Sequence, residues 1–254
     1  TRLSIVTGVQ TCALPICMLK VYVFGPKFGL PDPSSFCIKA LVLLKQSGLP
    51  FEAVTGDVRK APKGKFPVLE DDGVRIPDST FIRWHLEQRH GIDFDKGLTT
   101  EQKAIAWAFE KLCEDNLYWA IVHDRWMNDE NFNKGPRQFF EMAPAPLRPL
   151  VTVMVRRDVK RTLHGQGLGR HSKAEVDRLA AQGLTAISDY LGDKPFFMGD
   201  KPTGIDASIF ACISSCLCEL FPGANYDAVR MHDNLVAYRD RCMALWFRDA
   251  GAAA

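Results

Sequence analysis

From Leu19 the chain reads LKVYVFG, an alternation of apolar and polar positions rich in β-branched and aromatic residues, which predicts a strand. A loop rich in proline and glycine, GPKFGLPDP, follows it. In SSFCIKALVLLKQSG the apolar residues recur at helical spacing and stop at Gly48, a residue type that ends helices. Phe51 to Val58 reads as a second strand, FPVLEDDGVRI as a hairpin about Asp72-Gly73, and DSTFIRWHLEQRHG as a helix closed by Gly91. The order is βαββα, a small mixed sheet with helices. After the linker-like GIDFDKGLTT the period changes and no convincing strand remains. One long helical pattern runs from Thr100 to about Trp126, with Ile105, Phe109 and Leu112 at core spacing. Leu147 to Leu163, Lys173 to Leu191, Asp206 to Leu220 and Asp233 to Trp246 follow as further helices. The fold class is therefore α+β, a sheet domain over residues 18–92 and an all-α domain over residues 99–247.

The segment ahead of Leu19 does not fit this pattern. VTGVQTCALPI, Val6 to Ile16, is interrupted by Gln10 and Thr11, so it lacks the unbroken apolar region of a secretory signal. It is also far short of the roughly 20 apolar residues of a membrane span. In frame, it matches the translation of a common sequencing-library adapter. Residues 1–17 are set apart as a non-native extension expected to pack against nothing specific, with the natural protein starting at or near Met18.

Composition narrows the class of partner. Charged residues, 24% of the chain with a net charge of +2, are interspersed in sign, and no dense Lys/Arg block is present to neutralise a phosphate backbone. Nucleic acid is thereby excluded as the main partner, and no membrane anchor is legible. Cys212, Cys216 and Cys218 lie in the apolar run IDASIFACISSCLCEL, unaccompanied by a second pair at zinc spacing, and read as small core residues. Cysteines used in this way fit a reducing, cytoplasmic compartment.

Three short stretches carry the chemistry. Phe66-Pro67 precedes a strand, where a proline marks an edge or a special turn; the residues alone favour a trans bond opening an edge strand over a cis bond that turns the Phe66 backbone toward an extended ligand. Asp78-Ser79 open a helix, where they serve as caps or, beside free backbone N–H groups, as contacts to a ligand's ammonium and carboxylate. Ser34 to Cys37 open the first helix. There serine is commonly only a cap, but the Ser-x-x-Cys spacing is the redox Cys-x-x-Cys pattern with its leading cysteine replaced, at a helix end that favours thiolates.

Taken together, in this order, these stretches resemble the glutathione transferase family, over Leu19 to Phe247. SSFCIKALVLLKQSGLPFE is similar to its first helix and second strand, KFPVLEDDG to its cis-proline hairpin, PDST to its acidic-Ser motif, and PTGIDASIF to its folding signature, with Thr203 and Asp206 as a capping box. GLPDPSSFC, GLTTEQKAIAWAFEKLCEDNLYWAIVHDRW, QGLGRHS and LGDKPFFMGDKPTGIDA resemble the subgroup of metaxins and failed-axon-connections proteins.

The resemblance implies a thioredoxin-like sheet domain that binds glutathione as co-substrate and a helical domain completing the cleft. It gives Ser34 the role of activating the glutathione thiol, with Ser35 as the alternative because the loop ahead of it is longer than usual. Phe66 supplies backbone to the cysteinyl unit beside Pro67 as cis-proline, and Asp78 and Ser79 contact the γ-glutamyl group. Tyr118, Trp119, Arg125 and Trp126 are candidates for the electrophile pocket, with Arg170 and His171 as polar additions. The implied activity is detoxifying transfer of glutathione sulfur to a small electrophile, without metal or nucleotide, in a homodimer. The rivals are a noncatalytic binding or scaffold role and glutathione-dependent reduction through Cys37.

Overall fold

The computed structural model describes residues 18–141 and 143–248; the expectation for residues 1–17 falls outside them. Strands β1 (Leu19–Val23), β2 (Phe51–Thr55), β3 (Val68–Asp71) and β4 (Val74–Pro77) form one sheet in the order β2-β1-β3-β4. β1 runs parallel to β2 and antiparallel to β3, which is antiparallel to β4. Helix α1 (Ser35–Ser47) connects β1 to β2, and α2 (Ser79–His90) follows β4. The hairpin about Asp72-Gly73 contributes both of its arms, so the half carries one strand more than the order βαββα. Both residues have positive φ, 49° and 78°, as a tight hairpin of matching twist requires.

α1 is buried on nearly every side, from Cys37 to Leu44. A helix lying between two layers cannot be amphipathic: one flank rests on the sheet, and the other makes the largest helix–helix contact of the molecule, with α8 (Gly204–Cys216). It ends at Gly48 with φ 70°, the left-handed cap read from its glycine.

The helical half begins with α3 (Thr100–Lys111) and α4 (Tyr118–Met127). The single helix expected there is continuous but contains a π-helical stretch over Leu112–Leu117. Then come α5 (Asp129–Lys134), α6 (Arg148–Gln166), α7 (Lys173–Leu191), α8, α9 (Ala224–Arg230) and α10 (Asp233–Trp246). α7 and α10 keep the predicted bounds. α8 stops at Cys216 rather than Leu220, and the short α5 and α9 were not anticipated. Asp206 accepts hydrogen bonds from the N–H groups of Thr203 and Phe197 and from the Tyr238 hydroxyl, which ties the start of α8 to α10. The six cysteines among the described residues are free and buried, Cys212 and Cys216 within α8 as core.

Candidate functional site

The residues expected to bind glutathione lie around the first turns of α1 and α2 and just ahead of β3. Ser34 is the N-cap of α1, with extended backbone angles, and its carbonyl accepts the first helical bond from Ile38. Its side chain makes no cap hydrogen bond, contrary to the plain capping role. The task of holding this end of the helix has moved to Asp32. That carboxylate is fully buried and accepts three backbone N–H groups, those of Phe24 and Gly25 at 2.9 Å and of Ser34 at 2.8 Å. It therefore welds the end of β1 to the start of α1. Burial pushes Asp32 up to about 7, against the downward pull of those N–H groups and of Cys37.

Cys37, one turn into α1, is completely buried. Burial, and then the negative charge of Asp32, push its thiol well above the ordinary range, while the Ser34 side chain draws it the other way. It is a thiol rather than a thiolate.

The Phe66-Pro67 bond is cis, overturning the trans reading favoured by the residues alone. Both residues are buried, and the Phe66 ring meets Phe24 edge-on at 5.2 Å, beside the backbone that Asp32 holds. Phe66 makes no backbone hydrogen bond among the described residues. Pro67 turns its carbonyl to the N–H of Asp78 at 3.1 Å, which joins the start of β3 to the start of α2. Asp78 caps α2 by accepting from Thr80 N–H at 3.0 Å and has φ 87°, a conformation costing a non-glycine residue on the order of 1–3 kcal/mol. Next to it the hydroxyl of Ser79 is buried and has no hydrogen-bond partner among the described residues. Such a group carries a desolvation cost of about 1–3 kcal/mol unless a ligand meets it.

Ser35, the first residue of α1, lines a narrow cleft between the halves with Phe36 and Lys39, facing Cys113, Glu114 and Tyr118. Cys113 and Tyr118 are five residues apart, about 140° apart on an ideal α-helix, and it is the π stretch that lets both reach the cleft. The Tyr118 ring packs edge-on to Phe36 at 4.8 Å, and burial raises its phenol above the usual value.

The other pocket candidates have different neighbours. Trp119 is partly buried against the main core. Arg125 is buried, and its guanidinium donates to the carbonyls of Pro33 at 2.9 Å and Ser215 at 2.8 Å while lying over the Phe221 ring. It fixes the loop ahead of Ser34 to the end of α8, a positioning task. Trp126 packs against Phe132 and Phe140. Arg170 donates to the His164 carbonyl, and His171 lies 3.9 Å from Glu175 on the surface.

Beneath the cleft lies a buried ionic cluster that sequence reading missed. Lys39 Nζ is 2.5 Å from Glu114 Oε1, 3.1 Å from Glu110 Oε1 and 3.4 Å from Thr80 Oγ1, so one ammonium joins α1, α2 and α3. Burial alone would raise Glu114; Lys39 and Lys111 reverse it and hold the carboxyl below its ordinary value. Arg83 adds ion pairs to Glu87, Asp95 and Glu110 at 2.9, 2.6 and 3.7 Å. A Cβ on Gly204 would lie 2.8 Å from that guanidinium, so a larger residue there would push Arg83 from its place in the cluster.

With this geometry in view, two sequence families match the chain: the glutathione S-transferase N-terminal domain over residues 35–131 and the glutathione S-transferase C-terminal domain over residues 180–242. An isoprene-epoxide glutathione S-transferase from Rhodococcus sp. is 33% identical over 233 residues, 88% of this chain and 97% of that protein. The chain belongs to the glutathione S-transferase family. Failed axon connections of Drosophila melanogaster is 30% identical over 78% of the chain and 50% of its own length. Metaxin-1 of Mus musculus is 26% identical over 90% of the chain and 75% of its own length. Among solved structures, a glutathione S-transferase from Methylobacterium radiotolerans in complex with glutathione sulfonate has a TM-score of 0.60 at 24% identity, covering 93% of each chain. The beta-etherase of Sphingobium sp. has a TM-score of 0.60 at 18% identity, covering 94% of this chain and 100% of that one. These solved structures share the fold described above, a small mixed sheet followed by a helical domain.

Proposed function

We propose that the chain binds reduced glutathione across the sheet half and adds its sulfur, as the thiolate, to an electrophilic carbon, forming a C–S bond with glutathione left intact; the name of the Rhodococcus relative, an isoprene-epoxide glutathione S-transferase, supports a reaction of this class. The observation that carries this reading is the Ser34 side chain, which stands at the N-terminus of α1 without capping it. Because the Ser34 hydroxyl is not engaged in capping α1, its O–H can turn to donate to the glutathione sulfur. The α1 dipole adds a favourable field for a thiolate there. The backbone of Phe66 is free to pair with the cysteinyl unit, and Asp78 and Ser79, at the start of α2, are the proposed contacts to the γ-glutamyl group; the unpartnered Ser79 hydroxyl supports this reading. Tyr118 is the strongest of the pocket candidates, because it lines the cleft beside Ser35; Trp119 stands next to it. Held side by side, thiolate and electrophile react without a bimolecular encounter. No metal enters this chemistry.

A noncatalytic scaffold is the second reading, favoured by the likeness to metaxin-1 and Failed axon connections. Reduction through Cys37 is disfavoured, since a buried thiol raised above its ordinary range is a poor nucleophile at neutral pH. Among the described residues no helix is long and apolar enough to cross a membrane. The proposal keeps a cytoplasmic, detoxifying role and a homodimer, for which the exposed stack of Phe81, Trp84 and Trp107 is a suitable face.

The test is retention on immobilised glutathione followed by a conjugation assay. Ser34→Ala removes one hydrogen bond to a charged sulfur, about 1.5–3 kcal/mol, so kcat/KM at neutral pH should fall roughly tenfold to a hundredfold with retention preserved. Retention without turnover in the wild type would replace the enzyme by the scaffold. Loss in Ser35→Ala and not in Ser34→Ala would move the activating role by one residue.

A further inference from the structure

At the far end of α2 from Asp78 and Ser79, two imidazoles converge on one carboxylate. His85 Nε2 lies 2.7 Å and His90 Nε2 2.8 Å from the same oxygen, Asp71 Oδ2, and the three donor atoms all fall within 4.8 Å of one another. The fold makes this meeting. Asp71 ends β3 at the hairpin, His85 and His90 sit in the last turns of α2, and α2 packs on β3 and β4. The carboxylate is buried, while both histidine side chains are about one quarter exposed.

We infer that Asp71, His85 and His90 form a binding site for a divalent transition metal of the zinc type. Two neutral imidazoles and a carboxylate are a donor set suited to Zn2+ and its neighbours, which take nitrogen and oxygen at roughly 2.0–2.2 Å. Ligands around such an ion stand about 3.0–3.4 Å apart, given those bond lengths and near-tetrahedral or octahedral angles. The two gaps between the carboxylate oxygen and the imidazoles are a few tenths of an ångström shorter, and the partly exposed imidazoles can adjust with small χ rotations. Their exposure also leaves room for solvent to fill the remaining coordination positions. On metal binding each imidazole takes the tautomer with its proton on Nδ1, so that the neutral ring offers the Nε2 lone pair to the ion, and the same three side chains are joined by coordination instead of hydrogen bonds.

The site is structural. Along α2, His85 and His90 lie six and eleven residues beyond Ser79, about 9 and 17 Å at roughly 1.5 Å per residue, so the ion takes no part in the proposed sulfur chemistry. What it does is clamp the hairpin to the C-terminal end of α2.

The full chain, made without a polyhistidine tag and stripped with a chelator, would be titrated with Zn2+ by calorimetry and with Co2+ by visible absorption. The expected result is one ion per chain, a Co2+ ligand-field band, a rise in Tm with excess Zn2+, and at least a tenfold weaker affinity in each of His85→Gln, His90→Gln and Asp71→Asn. Protection of His85 and His90 in the wild type from diethyl pyrocarbonate by Zn2+, read by mass spectrometry, supplies the answer even where a variant fails to fold. No Zn2+ binding below millimolar concentration, unprotected histidines, or affinity unchanged within twofold in a folded His85→Gln/His90→Gln variant would overturn the site.

Discussion

Two buried acidic sites flank α1, and they behave in opposite ways. Asp32, just ahead of the helix, is answered by the backbone N–H groups of Phe24, Gly25 and Ser34, and burial still lifts it to about 7. Glu114 is also desolvated, yet it is held below its ordinary value because Lys39 and Lys111 stand 2.5 and 2.6 Å away. Asp206 repeats the first case: burial raises it in spite of the hydrogen bonds from Thr203, Phe197 and Tyr238. In this molecule dipoles satisfy a buried carboxylate geometrically, but a cation is needed to keep it charged. The difference suits the proposed chemistry. With its carboxyl near the midpoint of its titration at neutral pH, Asp32 organises the loop beside Ser34 while setting less than a full negative charge against a thiolate.

The largest effect should come from removing the cation. Lys39→Met leaves Glu110 with Arg83 at 3.7 Å and Lys111 at 4.0 Å and makes Glu114 rely on Lys111 at 2.6 Å, at an expected cost of about 3–5 kcal/mol at pH 7. The sign with pH follows from Glu114. A depressed folded pKa contributes stability that is present above the unfolded value and is lost as pH falls through the folded one. Urea unfolding of wild type and variant at pH 7 and pH 4 should thus show a penalty that shrinks on acidification. A loss under about 1 kcal/mol at pH 7 would mean that Lys111 alone keeps the site charged, and the contrast with Asp32 would fail.

The same contrast explains what could be read from the residues. β1, the hairpin, α7 and α10 were legible because each presents apolar positions at one period, and the Gly48 and Gly91 stops were legible because a left-handed cap favours glycine. The π stretch was not, since the widened turn leaves a run of apolar residues that still reads as helix. α5 and α9 are too short to show a period. Ser34, Phe66, Pro67, Asp78 and Ser79 were singled out as candidates from local motifs, whereas Asp32 looks like any turn residue between prolines until the chain folds over it. The Lys39 cluster and the Asp71, His85 and His90 group were invisible for one reason: their members lie on different elements, and only the packing of α2 against the sheet and α3 brings them together.

A smaller effect is expected at Asp32. Asn in its place keeps one acceptor oxygen for Phe24 and Gly25 but turns an amide N–H toward the N–H of Ser34, at a cost of about 1–2 kcal/mol at pH 5, where the wild-type carboxyl is mostly protonated. Because the folded pKa is raised, the wild type's stability from this group is full below the ordinary value of 3.8 and is lost as pH rises through about 7. The variant has no such loss, so its deficit should narrow at pH 8. Asp124, raised to about 6 by burial, titrates in the same window, and subtracting variant from wild type isolates Asp32. A deficit that widened with pH would show that the N–H groups outweigh burial, making Asp32 the equal of Glu114.

The smallest effect calibrates the other two. Thr99 and Gln102 form an exposed capping box on α3: the Thr99 hydroxyl accepts from Gln102 N–H at 3.2 Å, and the Gln102 side chain accepts from Thr99 N–H at 2.9 Å. Thr99→Ala breaks the first bond where water can replace it, so the loss should be about 0.5–1 kcal/mol. Neither group titrates, and the loss should be equal at pH 5 and pH 8. α3 also carries Glu110 in its last turn, so the variant asks whether the helix transmits its strain to the ionic cluster. A pH-dependent loss would mean that it does, and the charged state of Glu114 would then depend on how firmly α3 is held as well as on the cations beside it.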